Sequence, residues 1–405
     1  MRVDLTENGP AVPYRLPPRV ARELVLSGLV TVAPGADEGT WAVGARTYVG
    51  TARIGDVELW IRPKTPIRRL FFLLGYAHRL RGWRDEDVLV TEDVDLLPAV
   101  AAAFARQADR ATRQGLLQGY RVREDVAAVL RGRIRTGDQL RRRFGLPLPL
   151  ELRYDDFTTD IPENQLLRSA TDTLLRLPGL DPSSRRTLRR LQRSLADVTP
   201  WRRGPDASSG WHPSRLNARY QPAIRLAELI LRGSSIEHAD GIVAVNGFML
   251  DMARIFEDFV SAALGEALRV YGGRTMPQDR RWRLDQAGSI RIRPDLVWYA
   301  ADSATPSGVV DVKYKVEQPS GYPNADLYQL LAYCTRLRLP QGHLVYAHGD
   351  SAAARHDLVG TDITLVQHAI DLDTDPTTLL AAISRLATQV AASALDPWAS
   401  AAPEP

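Results

Sequence analysis

The chain has 405 residues, of which 44% are hydrophobic and 25% charged, and its formal net charge is +4. This length exceeds what one hydrophobic core usually serves, so the composition predicts an ordinary soluble protein of two or three domains. The single cysteine, Cys334, excludes an internal disulfide, a cysteine-based zinc site and an iron–sulfur cluster. The N-terminus lacks the apolar segment of a secretory signal and the apolar runs are too short for a membrane span, which predicts a cytoplasmic protein.

Residues 1–125 predict a mixed β/α region. The segment "RTYVGTARIGDVELWIRPK" alternates as two strands, and its Gly55-Asp56 step suits a tight hairpin. The apolar segment "IRRLFFLLGYAHRL", 67–80, predicts a helix. None of these residues indicates chemistry, so a folding unit or a partner-binding module is the default interpretation.

Residues 126–240 predict a mostly helical connecting region. Leucines recur at three- and four-residue spacing in "ENQLLRSATDTLLRL" and "RRTLRRLQRSLADV", and "QPAIRLAELILRG" ends at a glycine. Arginines cluster in "RGRIRTGDQLRRRF", in "RRTLRR" and, further along, in "DRRWRL". Such clusters suit phosphate backbones, although a solvated helix face explains any single run equally well.

Residues 241–395 predict a compact α/β domain, followed by a flexible tail at 396–405. A long helix, "FMLDMARIFEDFVSAALGEALRVYG", precedes three strands, which are predicted at "RRWRL", "IRIRPDLVWYA" and "GVVDVKYKV". The amphipathic helix "ADLYQLLAYCTRLRL", the strands "HLVYAH" and "ITLVQHAI", and a last helix near "LLAAISRLATQV" complete the domain. The fold class is therefore mixed α/β.

The strand "GVVDVKYKV" places valines on one face and Asp311, Lys313 and Lys315 on the other, as in any sheet with one wet face. The presence of lysine in this strand indicates a role beyond surface charge. Only three of the 52 Lys+Arg residues are lysine, and two of the three fall in this strand. A lysine is a compact charge of tunable proton affinity, which suits a reacting centre better than a planar guanidinium. Since no lysine follows a glycine, the chain also lacks the Gly-Lys-Ser/Thr of a phosphate-binding P-loop.

Asp295 lies in the strand before Asp311, so two carboxylates are predicted to meet on neighbouring strands. With few histidines and one cysteine in the chain, the expected occupant of this pair is magnesium. Lys313 shares the face of Asp311, and a metal with two acids and a lysine is what phosphodiester hydrolysis needs. Glu257 on the preceding helix is either a further ligand or an exposed acid. Gln329 and Tyr333, four residues apart, either reach this site or belong to an ordinary amphipathic helix.

These residues resemble a known motif and a known family. "RPD" followed by "DVK" resembles the PD-(D/E)xK nuclease motif, and "QLLAY" resembles the QxxxY element of RecB-like nucleases. A longer series is similar to the McrC family: "VELWIRPK", "LLGYAH", "ENQLLRSA", "NARYQPAIRLAELIL", "IFEDFV", "RPDLVWY", "DVKYK" and "DLYQLLAY".

The McrC resemblance implies the endonuclease subunit of a McrBC modification-dependent restriction system, with a C-terminal PD-(D/E)xK domain that cuts modified double-stranded DNA. It implies magnesium, for which manganese can substitute, held by Asp295, Asp311 and the Val312 carbonyl. Lys313 would assist the attacking water, with Glu257 and Gln329 supporting the site. The N-terminal half would bind and stimulate a McrB-like AAA+ GTPase, and this chain itself would bind neither a nucleotide nor a membrane.

Two other functions remain open at the level of the sequence. A degenerate nuclease fold could serve as a non-catalytic regulator of an AAA+ motor, in which case it would bind no metal through these carboxylates. A stand-alone RecB-like exonuclease would degrade DNA from its ends without a partner.

Overall fold

The computed structural model describes residues 1–77, 95–144, 146–202, 210–234, 245–301, 304–314, 324–347 and 354–395. Within these ranges the chain forms sixteen β-strands in four sheets and ten α-helices, which is a mixed α/β fold. The predicted tail at 396–405 lies outside the described residues. No helix in the described ranges is long and apolar enough to span a membrane.

Two sheets occupy the N-terminal region. The first has the order β1 (Arg2–Thr6), β6 (Val57–Arg62), β5 (Tyr48–Ile54) and β10 (Val245–Asp251). The second has the order β2 (Val12–Arg15), β4 (Thr40–Ala45) and β3 (Val30–Pro34), with α1 (Pro18–Leu26) packed against it. The predicted hairpin at Gly55-Asp56 is confirmed: β5 and β6 are antiparallel, and Gly55 adopts φ +53°.

The predicted long helix from Phe248 is wrong at its start, because its first residues form β10. This strand pairs with β5 along its whole length, from Val245 opposite Ile54 to Asp251 opposite Tyr48. The helix α8 (Met252–Ala267) begins only after Asp251, whose side chain accepts a hydrogen bond from Ala253 N. Cross-strand pairing thus overrides a helix-compatible apolar pattern. The predicted domain boundary at 240/241 accordingly precedes a strand of the first sheet.

Helices fill the middle of the chain and share one core with α8. They are α2 (Ile67–Ala77), α3 (Leu96–Thr112), α5 (Pro162–Arg176), α6 (Pro182–Ser194) and α7 (Gln221–Ser234). The three predicted helices between 163 and 233 are confirmed, and each buries leucines at helical spacing. The last residues of the predicted helix 67–80 lie outside the described ranges.

The region 126–240 is predicted to be mostly helical, but at its start the chain forms an antiparallel sheet. Its strands are β7 (Gly119–Ala127), β8 (Arg133–Ile134) and β9 (Leu150–Thr158), and α4 (Thr136–Arg143) packs against β9. We call residues 119–158 the β7–β9 arm. Most of its apolar side chains are exposed, including Tyr120 at 78% and Phe144 at 89%. The arm therefore has almost no core of its own.

The C-terminal sheet has six strands in the order β11 (Arg274–Pro277), β12 (Leu296–Tyr299), β13 (Gly308–Lys313), β14 (Gln341–Ala347), β16 (Thr364–Ile370) and β15 (Ala354–Asp357). The helices α8 and α10 (Pro376–Leu395) cover one face and α9 (Asn324–Leu337) the other. The predicted strand "RRWRL" is wrong, because the first strand is β11 and Arg283 forms only an isolated bridge with Arg291. The predicted strand at 308–316 ends at Lys313, and Lys315 lies outside the described residues.

Candidate active site

Asp295 and Asp311 face each other across two paired strands. β12 and β13 are antiparallel with Leu296 opposite Val310, so Asp295, one residue before β12, lies opposite Asp311. Asp295 Oδ2 accepts a hydrogen bond of 2.8 Å from Val312 N, which fixes its carboxyl beside β13. Asp311 is only 1% exposed. The two acids that the sequence singles out therefore form one cross-strand pair.

The two carboxyls perturb each other strongly. The pKa of Asp295 is raised to about 8, first by burial and then by the negative charges of Asp311 and Glu257. Burial also raises the pKa of Asp311, against the opposing effect of Lys313. Two buried carboxylates this close cannot both stay ionised without further positive charge. The pair is thus set up to receive a cation.

Lys313 supplies one positive charge on the same face. Its Nζ lies 2.8 Å from Asp311 Oδ2 and donates a 3.0 Å hydrogen bond to Gln329 Oε1. Burial lowers the pKa of Lys313, but the negative charges of Asp311 and Asp295 outweigh it, so that the pKa is raised overall. Gln329 Nε2 in turn donates to Tyr333 Oη at 2.6 Å. Gln329 and Tyr333 thus lie at the site and hold the ammonium in place.

Glu257 approaches the pair from α8. Its Oε1 accepts a hydrogen bond from Gln278 Nε2, and its charge raises the pKa of Asp295. Val312 turns its buried side chain toward the core on the other face of the sheet, so only its backbone faces the carboxylates. The structure therefore brings all the predicted site residues to one end of β13.

The sequence interpretation missed two further polar residues here, Gln278 and Asp326. Gln278 donates its N–H to Asp295 O at 2.9 Å and accepts a hydrogen bond from Arg293 Nη2. Asp326, 5% exposed, accepts from Tyr346 Oη at 3.3 Å and raises the pKa values of Asp311 and Lys313. Asp326 precedes Gln329 by three residues on α9, so helical spacing carried a usable signal. No sequence pattern indicated Gln278, because its contacts arise from strand pairing.

The donor set suits magnesium. Within the described ranges no three His, Cys, Asp or Glu side chains converge closely enough to hold a metal. Two carboxylates do converge, and Asp311 Oδ2 is buried without a well-aligned hydrogen bond. Magnesium usually takes one or two protein carboxylates and completes its shell with water and substrate phosphate. Asp295 and Asp311, with a backbone carbonyl beside them, fit this pattern.

Comparisons with known proteins show the family and the fold of this chain. The family described as "McrBC 5-methylcytosine restriction system component" matches residues 43–347. A chain of the half-complex from the tetradecameric assembly of Thermococcus gammatolerans McrB AAA+ hexamers with bound McrC has 16% identity and a TM-score of 0.60, covering 96% of this chain and 100% of that one.

A chain from the Thermococcus gammatolerans McrBC complex matches at 20% identity and a TM-score of 0.43, covering 66% of this chain and 88% of that one. No curated protein matches. Since the family match spans most of the length, the chain belongs to the family of McrBC 5-methylcytosine restriction system components.

Proposed function

We propose that this chain is the magnesium-dependent DNA endonuclease subunit of a McrBC-like restriction system and that it cuts modified double-stranded DNA. The observation that carries the proposal is the cross-strand pair of Asp295 and Asp311 with Lys313 Nζ 2.8 Å from Asp311 Oδ2. Two acids can hold a metal and a lysine adds positive charge, which are the groups that metal-assisted hydrolysis of a phosphodiester uses.

The carboxylates of Asp295 and Asp311 and the carbonyl of Val312 are the proposed ligands of the metal. Bound there, magnesium would lower the pKa of a coordinated water and offset negative charge on the phosphate. Lys313 would orient the attacking water and stabilise the charge that develops on phosphate oxygens. Gln329 keeps the ammonium directed at Asp311, since it accepts a hydrogen bond from Nζ. Glu257, held by Gln278, would support the site from α8.

The proposed partner is a McrB-like AAA+ GTPase. The family match supports it, and the chain has no Gly-Lys P-loop, so that the motor would be a separate chain. The β7–β9 arm is a suitable contact surface because it exposes many apolar side chains, among them Tyr120, Val129 and Phe144. Large exposed apolar surfaces of this kind usually mark protein–protein contacts. The first residues of the arm, 119–125, belong to the region 1–125 to which the sequence assigns partner binding.

The test is the variant Asp311→Asn in the complex reconstituted with the GTPase. We expect the variant to lose DNA cleavage with magnesium while it still stimulates GTP hydrolysis, because Asp311 lies in the C-terminal sheet and not in the arm. The matched control is Asp362→Asn, which changes an exposed acid of the same domain.

Three outcomes would contradict the proposal. Undiminished cutting by Asp311→Asn would remove this carboxylate from the active site. A wild-type chain that stimulates GTP hydrolysis but neither binds magnesium nor cuts would be a non-catalytic regulator. Degradation from DNA ends without the GTPase would identify a stand-alone exonuclease.

A further inference from the structure

The segment 279–294, which connects β11 to β12, folds as a hairpin that the proposed chemistry does not use. Leu284 N donates to Ile290 O at 2.9 Å and Ile292 N to Trp282 O at 3.4 Å, so the two arms of the segment pair with each other. It contains five arginines and two aspartates. We call it the arginine hairpin.

Both aspartates of the hairpin already accept hydrogen bonds from neighbouring groups of the protein. Asp279 is 4% exposed and accepts hydrogen bonds from Tyr299 Oη at 2.9 Å and from the guanidinium of Arg281, which holds its pKa well below the usual range. Asp285 accepts from Ile290 N at 2.7 Å and so closes the turn. These carboxylates therefore leave the other arginines of the hairpin uncompensated.

Three arginines of the hairpin are exposed. Arg280, Arg291 and Arg293 all lie on the surface. Among the described residues none of the three forms an ion pair. Positive charge that is neither buried nor paired has no evident role in stability.

The hairpin is fixed to the rest of the domain. Trp282 and Ile292 pack into the same hydrophobic cluster as α9. The Arg336 guanidinium of α9 lies 5.0 Å from the Trp282 ring centroid, and its Nε donates to Arg283 O. The arginines are thus presented from a packed scaffold on the face of the sheet that carries Asp311 and Lys313.

One end of the hairpin lies in the active site. Arg293 precedes Asp295 by two residues, and its carbonyl accepts a hydrogen bond from Tyr333 Oη at 3.3 Å. The Arg293 guanidinium donates to Gln278, which also holds Glu257. Arg293 therefore connects the hairpin to the active site, and Arg280 and Arg291 are exposed on the same hairpin.

We propose that the arginine hairpin binds the sugar-phosphate backbone of double-stranded DNA next to the phosphate that is cut. This inference rests on the proposed nuclease function and adds the surface that positions the substrate. Guanidinium groups match phosphate oxygens in charge and geometry. Phosphate contacts fix the register of DNA without reading its sequence, so that the hairpin would orient the duplex and leave recognition of the modification to other residues.

The test compares two double variants in the complete complex. Arg280→Gln with Arg291→Gln removes two charges from the hairpin, and Arg269→Gln with Arg385→Gln removes two exposed charges from the α8 and α10 side of the sheet. DNA affinity is measured by fluorescence anisotropy on a double-stranded oligonucleotide, with calcium in place of magnesium and across a range of salt concentrations.

We expect the hairpin variant to bind DNA about 30-fold more weakly at physiological salt, because each phosphate contact contributes a salt-dependence slope of about 0.9. The slope of log affinity against log salt concentration should become less negative by about 2 units in this variant. Stimulation of GTP hydrolysis should stay at the wild-type value. Every property of the Arg269 and Arg385 control should also stay at the wild-type value.

Equal DNA affinity in the two double variants would overturn the proposal while the nuclease function stands. Loss of GTPase stimulation with unchanged DNA affinity would overturn it in favour of a surface for the AAA+ partner. A wild-type complex that neither binds nor cuts DNA would overturn the hairpin proposal and the nuclease function together. Asp311→Asn separates the two cases, since it should abolish cutting and retain DNA affinity.

Discussion

Replacement of Lys313 tests the proposed chemistry most directly. Its ammonium lies 2.8 Å from Asp311 Oδ2, and at an effective dielectric of about 20 this separation corresponds to a gross attraction of about 6 kcal/mol. The side chain is 20% exposed, and the desolvation of both charges offsets much of that energy. The ground-state ion pair is thus worth much less than its gross attraction.

The larger effect of Lys313→Ala is expected in the transition state. A group that stabilises developing charge in a water-poor site contributes about 10²- to 10³-fold in rate, or roughly 3 to 4 kcal/mol. We therefore predict that Lys313→Ala lowers the single-turnover rate of DNA cleavage by about 10³-fold, with stimulation of the partner's GTP hydrolysis unchanged.

Lys313→Arg is the informative companion variant. It preserves the charge, but its planar guanidinium cannot occupy the position of the compact ammonium between Asp311 and Gln329. We expect it to be nearly as inactive as the alanine variant, with a melting temperature close to wild type. A cleavage rate for Lys313→Ala within about threefold of wild type, at equal DNA occupancy, would refute the assigned role.

Two predictions concern stability. Burial raises the pKa of Glu7 from 4.5 to about 7. The favourable contribution of Glu7 to the free energy of unfolding is therefore complete below pH 4.5 and is lost as the pH rises through 7. Glu7→Gln should therefore be more stable than wild type at pH 8, by at most about 3 kcal/mol in urea unfolding, and this gain should vanish at pH 4.5. The exposed control Glu38→Gln should show no such pH-dependent gain. Equal gains for Glu7→Gln at both pH values would contradict the prediction. Gly50 adopts φ +129°, and a Cβ there would lie 2.1 Å from Phe248 O, so that Gly50→Ala should cost about 3 kcal/mol. Gly39→Ala, at φ +77° in open space, should cost only about 1 kcal/mol, and similar losses for both glycines in thermal unfolding would count against the β5–β10 pairing.

The sequence by itself identified the candidate catalytic residues. Alternation along β13 put Asp311 and Lys313 on one face, and the rarity of lysine marked that strand. The short connection to the strand of Asp295 favoured neighbouring strands, and the observed register places the two acids opposite each other. Such features depend on period and local connection, which the chain carries without reference to the rest of the fold.

The tertiary structure determined which segments far apart in the sequence contact each other. Phe248 to Asp251 are apolar enough for a helix, yet they form a strand because β5 offers an unpaired edge some 200 residues earlier in the chain. The arginines of "DRRWRL" lie on a hairpin instead of a strand because Trp282 finds its packing partner on α9. Gln278 reaches Glu257 and Arg293 only after β11 pairs with β12. Local periodicity cannot specify such partners, because each contact is fixed by the packing of elements far apart in sequence.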